Sequence, residues 1–321
     1  MQICSFLPSA TEILYALGLG KSVAGVTFEC DFPPEAGRKT IVVDTNLAHH
    51  LTSAEIDHEV NANSSHGEGL YRIDIAKLEA IKPDLIVTQE LCDVCAISTS
   101  YVAKAVHQLS SKPQVLSLTP HTLDDMLNDI LRVGEATDRD AEARELVLCL
   151  RERIDKVGQM TKSQRPTVVC LEWLSPPFNG GHWIPEMIDL AGGVDPLGRL
   201  GKDSYRMEWD QVLRVDPDVA LVMPCGHNLE WSVAEYHATQ FPEGWKQAKA
   251  VRAGRVYAVN ASAYFSRPGP RLVTGLEIMY ALLQEDRPQE VVANSWTRLA
   301  VLGSSDFQDG EVEPRKLSPE V

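Results

Sequence analysis

The chain has neither a surplus of positive charge nor a long apolar run. Its 45 acidic residues outnumber 30 lysines and arginines, which gives a net charge of −15. Nucleic-acid phosphates and anionic membrane faces both favour basic surfaces, so this balance argues against both partners. No stretch approaches the roughly 20 apolar residues that a membrane-spanning helix needs. We therefore expect a small-molecule ligand, no nucleic acid and no membrane insertion.

Export features are missing from the first residues. Residues 1–9 contain no basic segment, no apolar run of signal-peptide length and no lipobox cysteine. The seven cysteines are odd in number, which fits a reducing compartment better than a disulfide framework. We expect a cytoplasmic protein and a monomer, and delivery of a ligand to an ABC permease is doubtful on these features.

Complete nucleotide-binding and hydrolase motifs are absent as well. Gly18 and Gly20 lack the spacing of a phosphate loop, and no Gly-x-Ser-x-Gly elbow occurs. The chain does contain enough apolar sequence, 44% of 321 residues, for two domains. Continuous apolar runs at 84–88, 167–171 and 218–223 are typical of strands buried on both faces of a parallel sheet. Helical patterns lie between them, which predicts an α/β fold built from βαβ units.

A longer helical pattern separates the two halves. Apolar residues recur with a 3.6-residue period over residues 123–157, disturbed only near Gly134 and residues 137–138. We predict one long helix that joins two Rossmann-like lobes, with a ligand cleft between them. The predicted division is an amino-terminal lobe at 1–121, the connecting helix at 122–160, a carboxyl-terminal lobe at 161–285 and a partly disordered extension at 286–321.

Four segments carry a family likeness, at residues 5–18, 78–87, 186–193 and 250–257. Together they resemble the class III, periplasmic-binding-protein-like proteins that bind cobalamin and iron chelates for ABC importers. The resemblance covers about residues 1–285 and implies two α/β lobes joined by a long helix. It also implies capture of a corrinoid, a siderophore or haem in the cleft. Because an export signal is missing, the chain is most similar to the cytosolic cobalamin-binding branch.

Aromatic residues and a histidine follow one of the predicted strands. Ligands of open α/β sheets bind beyond the carboxyl ends of the strands. Glu172 and Trp173 end such a strand, and a glycine-rich loop leads to His182 and Trp183. The two indole rings predict a stacking surface, and His182 predicts an axial ligand for a corrinoid cobalt or a haem iron. The alternative is aromatic packing with a hydrogen-bonded histidine.

Two arginines and two short polar segments complete the predicted ligand site. Arg267 and Arg271 are candidates for binding carboxylate or phosphate groups, because guanidinium forks match these anions. A pair of ion-paired surface arginines is the alternative. Ser9 opens a predicted helix in which Glu12 completes a capping box, and Glu29 lies at a strand end. We include Ser9 and Glu29 among the ligand-binding residues.

Cysteines at strand ends predict a metal site. Cys92 and Cys95 form one C-x-x-C pair, which is half of a typical structural zinc site. Metal ligation and redox exchange are the two functional interpretations of the pair. If Cys30, Cys225 and His227 converge on it, we expect a mixed Cys/His site for zinc or iron. Reduced structural thiols are the alternative.

Two functions are compatible with these residues. The first is a binding protein that captures a corrinoid, or a related tetrapyrrole or metal chelate, without chemistry. The second is a metal-dependent cytosolic enzyme in which a Cys/His site, with Glu172 or Glu29 as general base, acts on a small molecule. No complete catalytic constellation is visible in the sequence, which favours the binding protein.

Overall fold

Two β-sheets, one in each half of the chain, organise the computed structural model. The structure describes residues 1–47, 55, 59, 70–89, 99–160, 164–285 and 294–299. The central strands of each sheet run parallel, and helices connect them. This architecture confirms the predicted two-lobed α/β fold.

The first sheet has six strands. These are β1 (Ile3–Ser5), β2 (Val23–Thr27), β3 (Thr40–Thr45), β4 (Tyr71–Ile73), β5 (Leu85–Gln89) and β6 (Gln114–Leu118). Their order is β4-β3-β2-β1-β5-β6, and β4 runs antiparallel to β3. The order changes direction beside β1, which is the switch point where doubly wound sheets bind ligands. The helices of this lobe are α1 (Pro8–Ala16), α2 (Ile75–Ile81) and α3 (Thr99–Gln108), with a 3-10 turn at Ala36–Arg38.

Two helices follow the first sheet where the sequence predicts one. They are α4 (Leu123–Ala136) and α5 (Asp140–Gln159). The periodic stretch is therefore a pair of helices, and the 20-residue α5 is the long helix that leads into the second lobe. A 3.6-residue period cannot reveal the break, because both helices turn apolar faces toward the same core.

The chain reverses direction between α4 and α5. Asp138 adopts the left-handed backbone conformation (φ 55°), which aspartate tolerates better than most residues. The amide of Arg139 then donates back to the carbonyl of Gly134 at 2.8 Å. An ion pair of 3.1 Å joins Asp124, at the start of α4, to Arg151 in α5. The two helices are therefore antiparallel neighbours.

The second sheet has five strands. These are β7 (Val168–Leu174), β8 (Pro177–Asn179), β9 (Val219–Val222), β10 (Val256–Val259) and β11 (Trp296–Arg298). Their order is β11-β10-β9-β7-β8, with antiparallel pairs at both edges. The helices are α6 (Ile184–Leu190), α7 (Trp209–Val215), α8 (Leu229–Ala238), α9 (Lys249–Arg252), α10 (Ala261–Tyr264) and α11 (Arg271–Gln284), with a 3-10 turn at Glu243–Gln247.

The core extends through both lobes. The three apolar runs predicted as strands form β5, β7 and β9, and β5 and β9 are buried along their whole length. The largest buried cluster combines Ile13 and Leu14 of α1 with Met187 of α6 and Leu276 of α11. Two smaller clusters lie within single lobes. No helix of the described ranges is long and apolar enough to cross a membrane.

Candidate functional site

Five of the predicted site residues lie at or shortly after the carboxyl ends of parallel strands. Glu29 and Cys30 follow β2 directly, and Glu172 and Trp173 lie near the end of β7. Cys225 comes three residues after β9, and its amide donates to the carbonyl of Glu172 at 3.0 Å. These segments lie at the edge where the two lobes meet, but their roles in binding remain predictions.

An ion-pair cluster joins the lobes at this edge. We define it as Glu12 and Asp31 of the first lobe with Arg267 and Arg271 of the second. The guanidinium of Arg271 donates to both carboxylate oxygens of Glu12, at 2.9 and 2.6 Å. Arg267 pairs with Asp31 and also donates to the backbone carbonyl of Glu29 at 3.0 Å. The two predicted anion-binding arginines are thus paired with carboxylates, but across the lobes and largely buried.

Burial and charge oppose each other within the cluster. Burial raises the pKa of Glu12, while Arg271 and Arg267 act to lower it. Burial also disfavours the charged form of Arg267, but the carboxylates of Asp31 and Glu12 outweigh it, so the pKa of Arg267 is raised. A buried charge that loses its partner is strongly destabilising. Any anionic ligand group that enters here must therefore replace one of these carboxylates.

Ser9 lies against the second lobe rather than capping a helix. The helix α1 begins at Pro8, its N-cap is Leu7, and Leu7 has no capping side chain. The predicted Ser9–Glu12 capping box is therefore wrong, because Glu12 is turned toward Arg271. A Cβ atom on Gly269 would lie 3.6 Å from the Cα of Ser9. Ser9 is 2% exposed, so this contact places it in the seam between the lobes.

The acidic and aromatic residues at the strand ends are half-buried. The Glu172 carboxylate accepts from the amide of Gly181 at 3.1 Å. Burial raises the pKa of Glu29, and nearby Arg267 acts to lower it. The ring of Trp173 lies 6.4 Å from that of Phe178, centroid to centroid. A half-buried indole and a half-buried carboxylate thus lie next to each other at the end of β7.

Trp183 is buried, and the ring of His182 lies beside it, with 5.4 Å between the centroids. Trp183 is 3% exposed, and its Nε1 donates to the carbonyl of Phe265 at 2.8 Å. Packing is therefore the role that the structure shows for Trp183. The ring of His182 lies beside His121, with 5.6 Å between the centroids, and its Nδ1 is 3.5 Å from the carboxylate of Asp203.

Only two cysteines of the predicted metal site, Cys30 and Cys225, lie within the described residues. Cys30 is buried, and its Sγ lies 3.1 Å from Oγ1 of Thr11. Burial raises the pKa of the Cys30 thiol, which disfavours the thiolate that binds metals. Cys30 and Cys225 belong to no described group of three metal-ligating side chains. Cys92 and Cys95 lie outside the described residues.

Four residues of this region were not among the predicted site residues. Glu12 and Asp31 were missed because their partners are far away in sequence, with 259 positions between Glu12 and Arg271. His121 and Asp203 stand alone in the sequence with no ligand-like spacing to His182. Only the tertiary fold brings them together.

The chain belongs to the periplasmic binding protein family, whose model matches residues 3–263. An uncharacterised ABC transporter substrate-binding lipoprotein of Bacillus subtilis is 25% identical, covering 90% of this chain and 82% of the relative. The crystal structure of the periplasmic vitamin B12-binding protein of Vibrio cholerae has a TM-score of 0.66 at 23% identity, covering 90% and 98% of the two chains. A periplasmic haem-binding protein of Roseiflexus has a TM-score of 0.66 at 20% identity, covering 88% and 98%.

This membership decides between the two functions left open by the sequence. The family consists of proteins that bind substrates, so the chain is a ligand-binding protein and the enzyme alternative is not supported. The comparisons also lend no support to zinc or iron as a cofactor.

The expectation of a cytoplasmic location is wrong. The relatives are named as a lipoprotein and as periplasmic proteins, which act outside the cytoplasm. The doubt about an ABC permease loses its support for the same reason, because the Bacillus relative is named as part of an ABC transporter. Both expectations rested on the missing signal sequence and the odd number of cysteines. Family membership is stronger evidence than either of these two features.

Proposed function

We propose that the interlobe cleft captures a corrinoid or a related tetrapyrrole chelate and presents it to an ABC permease. The names of the relatives support this proposal, since one binds vitamin B12, another binds haem and a third is assigned to an ABC transporter. Ser9, Glu29, Glu172, Trp173, Arg267 and Arg271 are the residues of this chain that we propose to contact the ligand.

The ion-pair cluster is the observation that carries the proposal. It places two guanidinium groups from one lobe against carboxylates of the other, at the strand ends. A phosphate of a corrinoid nucleotide loop or a propionate of haem can take the place of Asp31 on Arg267 with the same bidentate geometry, because the displaced Asp31 is 65% exposed and is not left buried without a partner. The half-exposed ring of Trp173 supplies an apolar face for a macrocycle.

The experiment is a titration of the purified full chain with hydroxocobalamin, haemin and a ferric siderophore. We expect one of them to bind at one equivalent, with a change in its visible spectrum. Trp173→Ala should weaken that binding about tenfold, because an aromatic contact contributes about 0.5–1.5 kcal/mol beyond its buried area. Trp231→Ala is the matched control, since this tryptophan is 36% exposed on α8.

Two results would contradict the proposal. One is that none of the three chelates binds. The other is that Trp231→Ala weakens binding as much as Trp173→Ala, which would mean that the loss comes from the fold and not from a ring that faces the ligand.

A further inference from the structure

Three side chains that ligate metals meet where the two lobes touch, outside the ion-pair cluster. His121 follows β6 and precedes α4, His182 lies between β8 and α6, and Asp203 lies on the loop before α7. One ring nitrogen of each histidine and one carboxylate oxygen of Asp203 all lie within 4.8 Å of one another. The first lobe thus supplies one of these groups, and the second lobe supplies two.

Both histidines present a nitrogen that has no hydrogen-bond partner. The Nδ1 atoms of His121 and His182 are buried, and neither makes a hydrogen bond to a described residue, although the Nδ1 of His182 lies 3.5 Å from the Asp203 carboxylate. A buried polar atom is almost always satisfied by protein, water or an ion. Two such atoms beside one carboxylate therefore indicate that something absent from the polypeptide completes this site.

The backbone holds His182 in place for such a ligand. His182 has a positive φ of 52°, a conformation that is uncommon for residues other than glycine. Its amide donates to the carbonyl of Lys202 at 2.6 Å, and its carbonyl accepts from the amide of Gly201 at 3.1 Å. The loop that carries Asp203 is thereby fixed against the histidine.

We propose that His121, His182 and Asp203 bind a divalent transition-metal ion of the zinc class between the lobes. Imidazole nitrogen is the ligand that zinc, nickel and cobalt share, and two imidazoles with one carboxylate leave a position open. Asp203 is 71% exposed, whereas His182 is 14% exposed. Solvent therefore gives the ion a path of entry, and the carboxylate has the freedom to close on it.

The ion would also cross-link the two lobes. Near the site, the amide of Leu123 at the start of α4 donates to Glu186 of α6 at 2.9 Å. A metal bond between His121 and His182 would act across the same seam. This role differs from capture of an organic ligand in the cleft, and it does not depend on it.

Cobalt is the probe, because its spectrum reports its ligands. The full chain, free of corrinoid, is titrated with Co²⁺. We expect one equivalent to bind, with visible absorption bands and no thiolate charge-transfer band. His121→Ala and His182→Ala should each lower the affinity 10–100-fold, whereas His107→Ala, on the exposed face of α3, should leave it unchanged.

A variant at an exposed position tests whether a loss of Co²⁺ affinity could come from misfolding. Asp203→Asn alters an exposed side chain, so it should fold normally and still lower the Co²⁺ affinity about tenfold. In addition, Zn²⁺ should raise the melting temperature of the parent chain and not that of His182→Ala.

Three results would overturn the proposal. They are a thiolate charge-transfer band lost in Cys92→Ser, unchanged affinity in both histidine variants, or equal loss in His107→Ala. The chelate titration described above is a separate readout, so failure of the metal site and failure of the proposed function are distinguishable.

Discussion

Asp195 is a carboxylic acid whose surroundings favour its protonated form. One carboxylate oxygen accepts from the amides of Leu197 and Gly198, at 3.0 and 2.9 Å. The other oxygen is buried and has no partner in the described part of the chain. Burial raises the pKa of Asp195 to about 6, against the two amide hydrogen bonds that act to lower it.

The folded state should therefore lose stability as Asp195 ionises. Its pKa rises from 3.8 to about 6 on folding, so the contribution of the protonated form is complete below pH 3.8 and lost as pH rises through 6. Asp195→Asn keeps the shape without the charge. We expect it to be more stable than the parent at pH 8, by about 2 kcal/mol after allowance for solvent screening, and equal to it at pH 3.5.

Urea unfolding at several pH values measures this difference. Asp74→Asn is the control, because the amide of Lys77 lowers the pKa of Asp74, and the pH dependence of that variant must have the opposite sign. A difference between Asp195→Asn and the parent that does not change with pH would contradict the prediction.

The ion pair between Glu12 and Arg271 could not be predicted from the sequence. Ser9 and Glu12 match the spacing of a capping box with Ser9 as N-cap, but the N-cap is Leu7, two residues earlier. Glu12 is then free to pair with Arg271 in the other lobe. Arg267 and Arg271 were predicted from the match of guanidinium groups to anions, whereas their carboxylate partners have no local signal at all.

At the scale of elements, the pair α4–α5 depends on close contact of the two backbones. A Cβ atom on Gly134 would lie 2.4 Å from that of Ala143 and 3.0 Å from the carbonyl oxygen of Arg139. Neither neighbour is the flexible end of a side chain. Gly158, in contrast, would place a Cβ atom 3.8 Å from Leu190, which is an ordinary contact.

Two glycine-to-alanine substitutions should therefore change the unfolding free energy in opposite directions. Gly134→Ala forces the helices apart, and we expect a loss of about 1–3 kcal/mol in unfolding free energy. Gly158→Ala lies within α5 and should gain about 0.5–1 kcal/mol, because alanine favours the helix. Chemical denaturation compares them directly. Equal effects of the two substitutions would show that the helices do not pack as closely as the structure indicates.

The sequence predicted the buried parallel strands more completely than it predicted the connections. β5, β7 and β9 contain uninterrupted apolar runs rich in β-branched residues, and this composition identified them as buried strands. The antiparallel edge strands β8 and β11 have three residues each, too few for a periodic signal. The reversal between α4 and α5 rests on the contact at Gly134 and the conformation of Asp138, which a helical period does not encode.

At the scale of the whole molecule, the shared core decides how the two lobes unfold. Each lobe has its own sheet, which by itself would allow independent unfolding. The largest buried cluster, however, combines side chains of α1 and α4 with those of α6 and α11. The buried pair Glu12–Arg271 adds charge contacts across the same seam, as does the pair of the buried Arg267 with the exposed Asp31. Separation of the lobes would expose this core and leave buried charges unpaired.

We therefore expect one cooperative transition, and the placement of tryptophan allows a direct measurement. All six tryptophans lie between Trp173 and Trp296, so indole fluorescence reports the second lobe alone, while far-UV circular dichroism reports both. Ile86→Ala truncates a side chain in a cluster confined to the first lobe and should cost about 2–5 kcal/mol. In a cooperative molecule it lowers the urea midpoint of the fluorescence as much as that of the dichroism. If the fluorescence midpoint stays at the parent value while the dichroism splits into two steps, the lobes unfold separately and the shared core does not couple them.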